Sequence, residues 1–125
     1  MLILIVEDSD SIRKMIEALV AGRGHQVTAV PTGTKALEAA QARTPDVVLL
    51  DLNLPGALDG FDVCERLRAD ERTARVPILV ISALDDAQSK ERALSLGANA
   101  YYVKPFSPTA LLKEIESLRA RRDAP

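Results

Sequence analysis

Residues 47–55 read VVLLDLNLP, a continuous apolar run that ends at a single carboxylate, Asp51. Two further runs have the same form, Leu2–Val6 (LILIV) and Ile78–Ile81 (ILVI). Short runs that are apolar at every position are typical of strands buried on both faces, as strands in parallel sheets are. These three stretches therefore predict the centre of a parallel sheet.

The segments between these runs change to the period of an amphipathic helix. In the first segment, apolar residues recur at 3.6-residue spacing, at Ile12, Met15, Ile16, Leu19 and Val20. Helical segments also follow the later strands, and weaker strands are predicted at Gln26–Val30 and Ala100–Val103. The alternation predicts five β-α units: an α/β fold in which helices cover both faces of a parallel sheet through right-handed crossovers.

Turn and capping residues support the prediction of five β-α units. Asp85 with Gln88 three residues later resembles a capping box, which predicts a helix over about residues 86–96. Ser107 followed by Pro108 suits the N-cap and the first position of the last helix. The predicted elements therefore fill the chain without a linker.

Length and composition place the chain in a broad class. Its 125 residues predict one domain over 1–125, with a charged tail at about 119–125 that frays. The net charge of -2 gives no reason to expect direct binding to nucleic acid. A single cysteine, Cys64, cannot form an internal disulfide, and no apolar run approaches the roughly 18 residues of a membrane span. We therefore expect a cytoplasmic protein without membrane insertion.

Polar residues follow four of the five predicted strands. They are Glu7 and Asp8 after the first strand, Asp51 after the third, Ser82 at the end of the fourth and Lys104 after the fifth. Ligands of open parallel sheets bind beyond the carboxyl ends of the strands, so we expect these side chains to meet. Close carboxylates need counter-charge, which Mg²⁺ and a lysine supply. The set also suits phosphoryl transfer, which needs a nucleophile, cations and a hydroxyl donor.

At these residues the sequence resembles the receiver domain of two-component response regulators, the CheY-like superfamily. The matching segments cover essentially the whole chain: IVED at 5–8, VVLLDLNLP at 47–55, DGF at 59–61, ILVISA at 78–83 and GANAYYVKPF at 97–106. The resemblance implies a doubly wound, flavodoxin-like fold with a five-stranded parallel sheet of order 2-1-3-4-5.

The resemblance also implies a phospho-acceptor and a metal site. Asp51 would accept the phosphoryl group. Asp8, Asp51 and the backbone carbonyl of Asn53 would bind Mg²⁺, with Glu7 acting through a metal-bound water. Mn²⁺ is an alternative ion for the same ligands.

Four further residues receive roles from the resemblance. Ser82 and Lys104 would bond the phosphoryl oxygens, and the Lys104–Pro105 peptide bond would be cis. Phosphorylation would draw Ser82 toward Asp51 and turn Tyr101 inward, which changes the face formed by the fourth helix, fifth strand and fifth helix. We expect the partner surface at Lys90–Ala93, Tyr101 and the exposed side of the last helix.

The implied function is a phosphorylation-dependent switch in a two-component or phosphorelay system. A histidine kinase or a histidine phosphotransfer protein would be the donor, and a protein target or an attached output domain would respond. The chain would catalyse its own phosphorylation and dephosphorylation but turn over no external substrate. A stand-alone receiver, a relay intermediate and a piece of a larger regulator all remain open.

Two other functions compete with this one. A phosphohydrolase of the haloacid dehalogenase type also uses an aspartyl nucleophile after a strand, but its second aspartate is replaced here by Asn53. A receiver that no longer accepts phosphate would act only by binding, although such domains usually lose one of the residues that are present here.

Three further features complete the expectations. The loop from Pro55 to Gly60 has one residue more than is usual in the family, which makes the Asp51–Ser82 spacing 31 residues. His25, the only histidine, is predicted to lie on the surface, away from the site. Cys64 falls on an apolar helical face and is predicted to be core.

Overall fold

The computed structural model describes residues 1–124. Within these residues strands and helices alternate without exception. The elements are β1 (Leu2–Val6), α1 (Asp10–Ala21), β2 (Gln26–Val30), α2 (Gly33–Ala42), β3 (Val47–Leu50), α3 (Gly60–Ala69), β4 (Ile78–Ser82), α4 (Ala87–Ser95), β5 (Ala100–Val103) and α5 (Pro108–Asp123). The predicted series of five β-α units is confirmed.

The strands form one parallel sheet in the order β2-β1-β3-β4-β5. Its register pairs Val6 with Leu50, and Leu50 with Val80. The carboxyl ends of β1, β3 and β4 therefore lie side by side, as the site prediction requires. The doubly wound, flavodoxin-like fold with order 2-1-3-4-5 is confirmed.

Successive residues of each central strand feed two hydrophobic clusters, one on each face of the sheet, because side chains alternate along a strand. Leu4 and Val6 of β1 point to the side covered by α2, α3 and α4. Ile3 and Ile5 point to the side covered by α1 and α5. Burial on both faces explains why these strands are apolar at every position.

The caps of two helices test the predicted boundaries. Ser107 Oγ accepts a hydrogen bond from Ala110 N at 3.2 Å, with Pro108 in the first turn, as expected. The capping box predicted at Asp85 is wrong by one residue. Asp86 is the N-cap of α4, and its carboxylate accepts bonds from Ser89 N at 2.9 Å and Ser89 Oγ at 2.8 Å. Ser89 thus donates two hydrogen bonds to Asp86, and the spacing of Asp85 and Gln88 did not reveal this partner.

The prediction that His25 lies on the surface is wrong. The residue is only 6% exposed, because the turn between α1 and β2 directs its ring toward α5. Its Nε2 lies 3.2 Å from Glu116 Oε1. This partner is 91 positions away in the sequence, so no local pattern could identify it.

Cys64 is core, as predicted. The residue is 1% exposed and its thiol donates to the Leu96 carbonyl at 3.3 Å. Burial raises the pKa of the thiol above its ordinary value.

The chain ends in a helix over most of the predicted tail. Helix α5 continues to Asp123, and Arg122 Nη1 lies 3.1 Å from Asp46 Oδ2. The fraying of residues 119–125 stays a prediction, and Pro125 lies outside the described residues. Among residues 1–124, no helix combines the length and the apolarity that crossing a bilayer requires.

Candidate functional site

Three carboxylates meet at the carboxyl edge of the sheet, where β1 and β3 are neighbours. One oxygen each from Glu7, Asp8 and Asp51 lies within 4.8 Å of the others; we call these residues the acidic cluster. The hydrogen bonding between β1 and β3 continues past the end of β3, where Asp51 N donates to Val6 O at 3.0 Å. This bond keeps the three residues close together. Glu7 is 2% and Asp51 4% exposed, whereas Asp8 faces solvent.

Lys104 supplies a cation to two of these carboxylates. Its backbone N–H donates to Ser82 O at 2.8 Å, and the peptide bond to Pro105 is cis. The ammonium lies 2.5 Å from Glu7 Oε1 and 3.4 Å from Asp51 Oδ2. Burial alone would lower the pKa of Lys104, but the hydrogen bond to Glu7 and the charge of Asp51 outweigh it and raise the pKa. The lysine is therefore a permanent positive charge at neutral pH.

The donor set of the acidic cluster fits a hard divalent cation. Both oxygens of Glu7 already accept hydrogen bonds, one from Lys104 and one from Ser9 N at 3.1 Å. The Asp8 carboxylate accepts no hydrogen bond from any residue in 1–124. Mg²⁺ uses one or two carboxylates and keeps several waters, so Asp8 and Asp51 fit as direct ligands and Glu7 fits a role through water.

The loop between β3 and α3 begins with a turn at Asp51. Asn53 N donates to Asp51 Oδ1 at 3.3 Å, which leaves the carboxylate held between this amide and Lys104. Farther along, Gly60 N donates to Leu52 O at 2.9 Å, and a Cβ on Gly60 would lie 2.5 Å from Leu52 Cα. The start of α3 thus packs directly against the backbone of Asp51 and Leu52. A coordinating role for the Asn53 carbonyl stays a prediction.

The additional residue predicted for this loop falls in its solvent-exposed part. Pro55, Gly56 and Ala57 are exposed, and Gly56 adopts a positive φ of 91°. On either side of them, Leu54 is buried and Leu58 packs against the core. The extra length therefore forms a bulge toward solvent between two anchored leucines.

Ser82 and Tyr101 both bond the backbone of one residue, Leu84, in the loop between β4 and α4. The Leu84 N–H donates to Ser82 Oγ at 3.1 Å, and the Tyr101 hydroxyl donates to Leu84 O at 2.7 Å. Tyr101 packs against the cluster on the α3 and α4 side of the sheet, and burial raises the pKa of its hydroxyl. Ser82, which is fully buried, bonds within its own loop, so its role toward a phosphoryl group stays a prediction.

Sequence reasoning missed one residue of the site, Arg13. Its guanidinium reaches from the first turn of α1 to the carbonyl of Glu7 at 3.0 Å. The only local signal is Asp10, three positions earlier, which forms an ion pair with Arg13 on the helix surface. Because the partner just after β1 is a backbone atom, no pattern of side chains predicts the contact.

Comparison with known proteins gives a consistent result. The family model described as the response regulator receiver domain matches residues 3–116. The chain is 38% identical over 121 residues to the DNA-binding dual master transcriptional regulator RpaA of Synechocystis, which is 97% of the chain and 50% of that protein. It is 39% identical over 121 residues to the DNA-binding response regulator MtrA of Mycobacterium tuberculosis, covering 97% of the chain and 51% of MtrA. The chain thus spans about half the length of these relatives.

Solved structures agree with the sequence comparison. The chemotaxis protein CheY4 of Vibrio cholerae matches with a TM-score of 0.87 and 32% identity, over 94% of this chain and 97% of that one. The receiver domain of the sensor histidine kinase PA1611 of Pseudomonas aeruginosa, with a magnesium ion coordinated in its active-site cleft, matches with a TM-score of 0.85 and 34% identity. That match covers 94% of this chain and 95% of the other. With its fold, its acidic cluster and these relatives, the chain belongs to the family of response regulator receiver domains.

Proposed function

We propose that this chain is a phosphorylation-operated signalling switch that accepts a phosphoryl group on Asp51 in the presence of Mg²⁺. One observation carries the proposal: the buried Asp51 carboxylate lies at the edge of the sheet between two other carboxylates and the Lys104 ammonium. A carboxylate in this position can act as a nucleophile while nearby cations neutralise the charge of the incoming group.

The chemistry follows from this arrangement. One Asp51 oxygen attacks phosphorus of a phosphohistidine donor and forms a P–O bond as the P–N bond breaks. The electron pair of that bond stays on the imidazole nitrogen of the donor, which takes up a proton. The Lys104 ammonium, 3.4 Å from Asp51 Oδ2, shifts to form an ion pair with the phosphoryl oxygens, and Ser82 donates a hydrogen bond to them. Asp8, Asp51 and the Asn53 carbonyl would hold Mg²⁺, which would supply further neutralisation of the phosphoryl charge; Mn²⁺ would serve with the same ligands.

The donor is a histidine kinase or a histidine phosphotransfer protein, as the membership in this family supports. The chain takes part in its own phosphorylation and in the later hydrolysis of the aspartyl phosphate. We expect it to turn over no external metabolite. A cytoplasmic location agrees with such a donor.

The switch operates through the backbone of Leu84, whose N–H bonds Ser82 and whose carbonyl bonds Tyr101. A phosphoryl group that draws Ser82 toward Asp51 changes this shared anchor and so biases the position of Tyr101. The surface formed by α4, β5 and α5 then changes as a shift between two populations. Its partner-facing part comprises Lys90, Glu91, Arg92, Tyr101 and the exposed side of α5. Ala93, predicted from the sequence to be part of this surface, is 1% exposed and packs in the core.

The output is an attached domain or a separate protein. RpaA and MtrA are DNA-binding regulators about twice as long as this chain, which supports an attached output domain. The chain itself has a net charge of -2, so we expect any binding to DNA to be made by the output partner and not by the receiver.

Intact mass spectrometry after incubation with acetyl phosphate tests the proposal. We expect a phosphate-sized mass increase that requires Mg²⁺, disappears with chelator and is absent from Asp51→Asn. Asp123→Asn, which removes an exposed carboxylate at the end of α5, is the matched control and should phosphorylate normally. An unchanged increase in Asp51→Asn would overturn the assignment of Asp51. No increase in the wild type with Mg²⁺ would count against the proposal and favour a domain that acts by binding alone.

A further inference from the structure

Arg13 is a half-buried arginine whose donors are directed at the turn between β1 and α1. Its side chain is only 16% exposed. One terminal nitrogen, Nη1, donates to Glu7 O at 3.0 Å and more weakly to Asp8 O at 3.5 Å. The other, Nη2, donates to Asp10 Oδ1 at 2.5 Å. The forked donors of this arginine connect α1 to the turn, so these contacts restrain where the turn lies relative to α1.

The two carbonyls that Arg13 contacts flank the α-carbon of Asp8. The Glu7 carbonyl belongs to the peptide plane before Asp8, and the Asp8 carbonyl belongs to the plane after it. A guanidinium that contacts both peptide planes restrains the backbone dihedrals of the residue between them, most strongly through the shorter bond to the Glu7 carbonyl. Those dihedrals set the direction in which the Asp8 side chain leaves the backbone.

Asp8 depends on this restraint more than the other members of the acidic cluster do. Glu7 and Asp51 are buried and their carboxylates are held by Lys104. The Asp8 carboxylate is exposed and accepts no hydrogen bond from the part of the chain that the structure describes. Its distance from Asp51 is therefore determined by the backbone of the turn.

We propose that Arg13 is a positioning residue for the metal site: it fixes the backbone on both sides of Asp8 and so holds this carboxylate ready for a divalent cation. The inference rests on the proposed function, since it assigns Asp8 to Mg²⁺. A positioning role and a purely electrostatic role of Arg13 predict opposite changes in Mg²⁺ affinity when the residue is removed. A cation near the acidic cluster repels Mg²⁺, so a residue that acted only by its charge would weaken binding, and its removal would tighten binding. A positioning residue does the opposite.

Calorimetric titration with MgCl₂ separates these roles. We expect Arg13→Ala to weaken Mg²⁺ binding by about tenfold or more, the usual effect of losing a group that orients a metal ligand. Arg13→Lys should lose nearly as much, because it keeps the charge but not the forked donors. Lys14→Ala is the matched control: it removes an exposed positive charge from the next position of α1 and should leave binding unchanged or slightly tighter.

Urea unfolding in chelator shows whether the variants remain folded. If Arg13→Ala does not fold, Arg13→Lys decides the question alone. Binding by either Arg13 variant that equals or exceeds that of the wild type would overturn the positioning role. A wild type that binds no Mg²⁺ would overturn the metal part of the proposed function and this inference with it, a result distinct from a wild type that binds while the variants are unaffected.

Discussion

Replacing Lys104 by methionine should destabilise the protein, because it leaves two buried carboxylates without their cation. The ammonium lies 2.5 Å from Glu7 Oε1 and 3.4 Å from Asp51 Oδ2. At an effective dielectric constant of about 20, these contacts correspond to gross attractions of about 7 and 5 kcal/mol. Desolvation of the lysine offsets much of this, and breaking a buried pair typically costs about 3–5 kcal/mol. Lys104 keeps 18% of its side chain exposed, so we expect the lower value, about 3 kcal/mol.

Urea unfolding followed by circular dichroism, in the presence of chelator, measures this loss. Lys113→Met removes an exposed lysine of α5 and should change the free energy of unfolding by no more than about 0.5 kcal/mol. Adding MgCl₂ should narrow the deficit of Lys104→Met, because the metal ion replaces the missing positive charge. A Lys104→Met protein as stable as the wild type without Mg²⁺ would refute the view that Lys104 neutralises the acidic cluster.

Three further outcomes follow from the structure. Gly60→Ala should lower the free energy of unfolding by about 3 kcal/mol, since its Cβ would meet backbone atoms of Asp51 and Leu52. Gly56→Ala, at a positive φ with open space around it, should lower it by about 1 kcal/mol. Equal losses of stability in thermal unfolding of the two variants would contradict this. Because burial raises the pKa of Cys64, iodoacetamide should label the native protein slowly at about pH 8 and the urea-unfolded protein quickly; rapid labelling of the native protein would contradict its burial. The folded pKa of Lys104 is raised above its unfolded value of 10.5, so its stabilisation is complete below that pH and is lost as the pH rises through the folded pKa. The stability difference between wild type and Lys104→Met should therefore be constant from neutral pH to about pH 10, and a decline by about pH 9 would argue against the ion pairs.

The fold could be predicted because its signal is local. Strands buried on both faces are apolar at every position, as in Leu2–Val6 and Val47–Leu50, and the segments between strands show a helical period. The order of the strands was implied by the resemblance to receiver domains, and the structure has that order. The boundary of α4 was missed by one residue because Asp85 and Asp86 are equally good caps in sequence and only the contacts of Ser89 distinguish them.

The acidic cluster could be predicted because parallel strands bring their carboxyl ends together. The ends of the strands and their parallel register were enough to predict that Glu7, Asp8 and Asp51 lie at one edge of the sheet. The contacts that hold the site in place could not be predicted in the same way. Arg13 and Tyr101 bond backbone carbonyls, which every residue has, so their partners leave no mark in the sequence.

The central claim is that Asp51 carries the phosphoryl group, and borohydride reduction tests it most directly. Wild-type protein is treated with acetyl phosphate and Mg²⁺, reduced and digested, and its peptides are sequenced by mass spectrometry. Reduction converts an aspartyl phosphate to homoserine, and we expect this product at residue 51 alone, and only when Mg²⁺ was present. A phosphorylated sample in which residue 51 stays aspartate while another residue carries the modification would contradict the account.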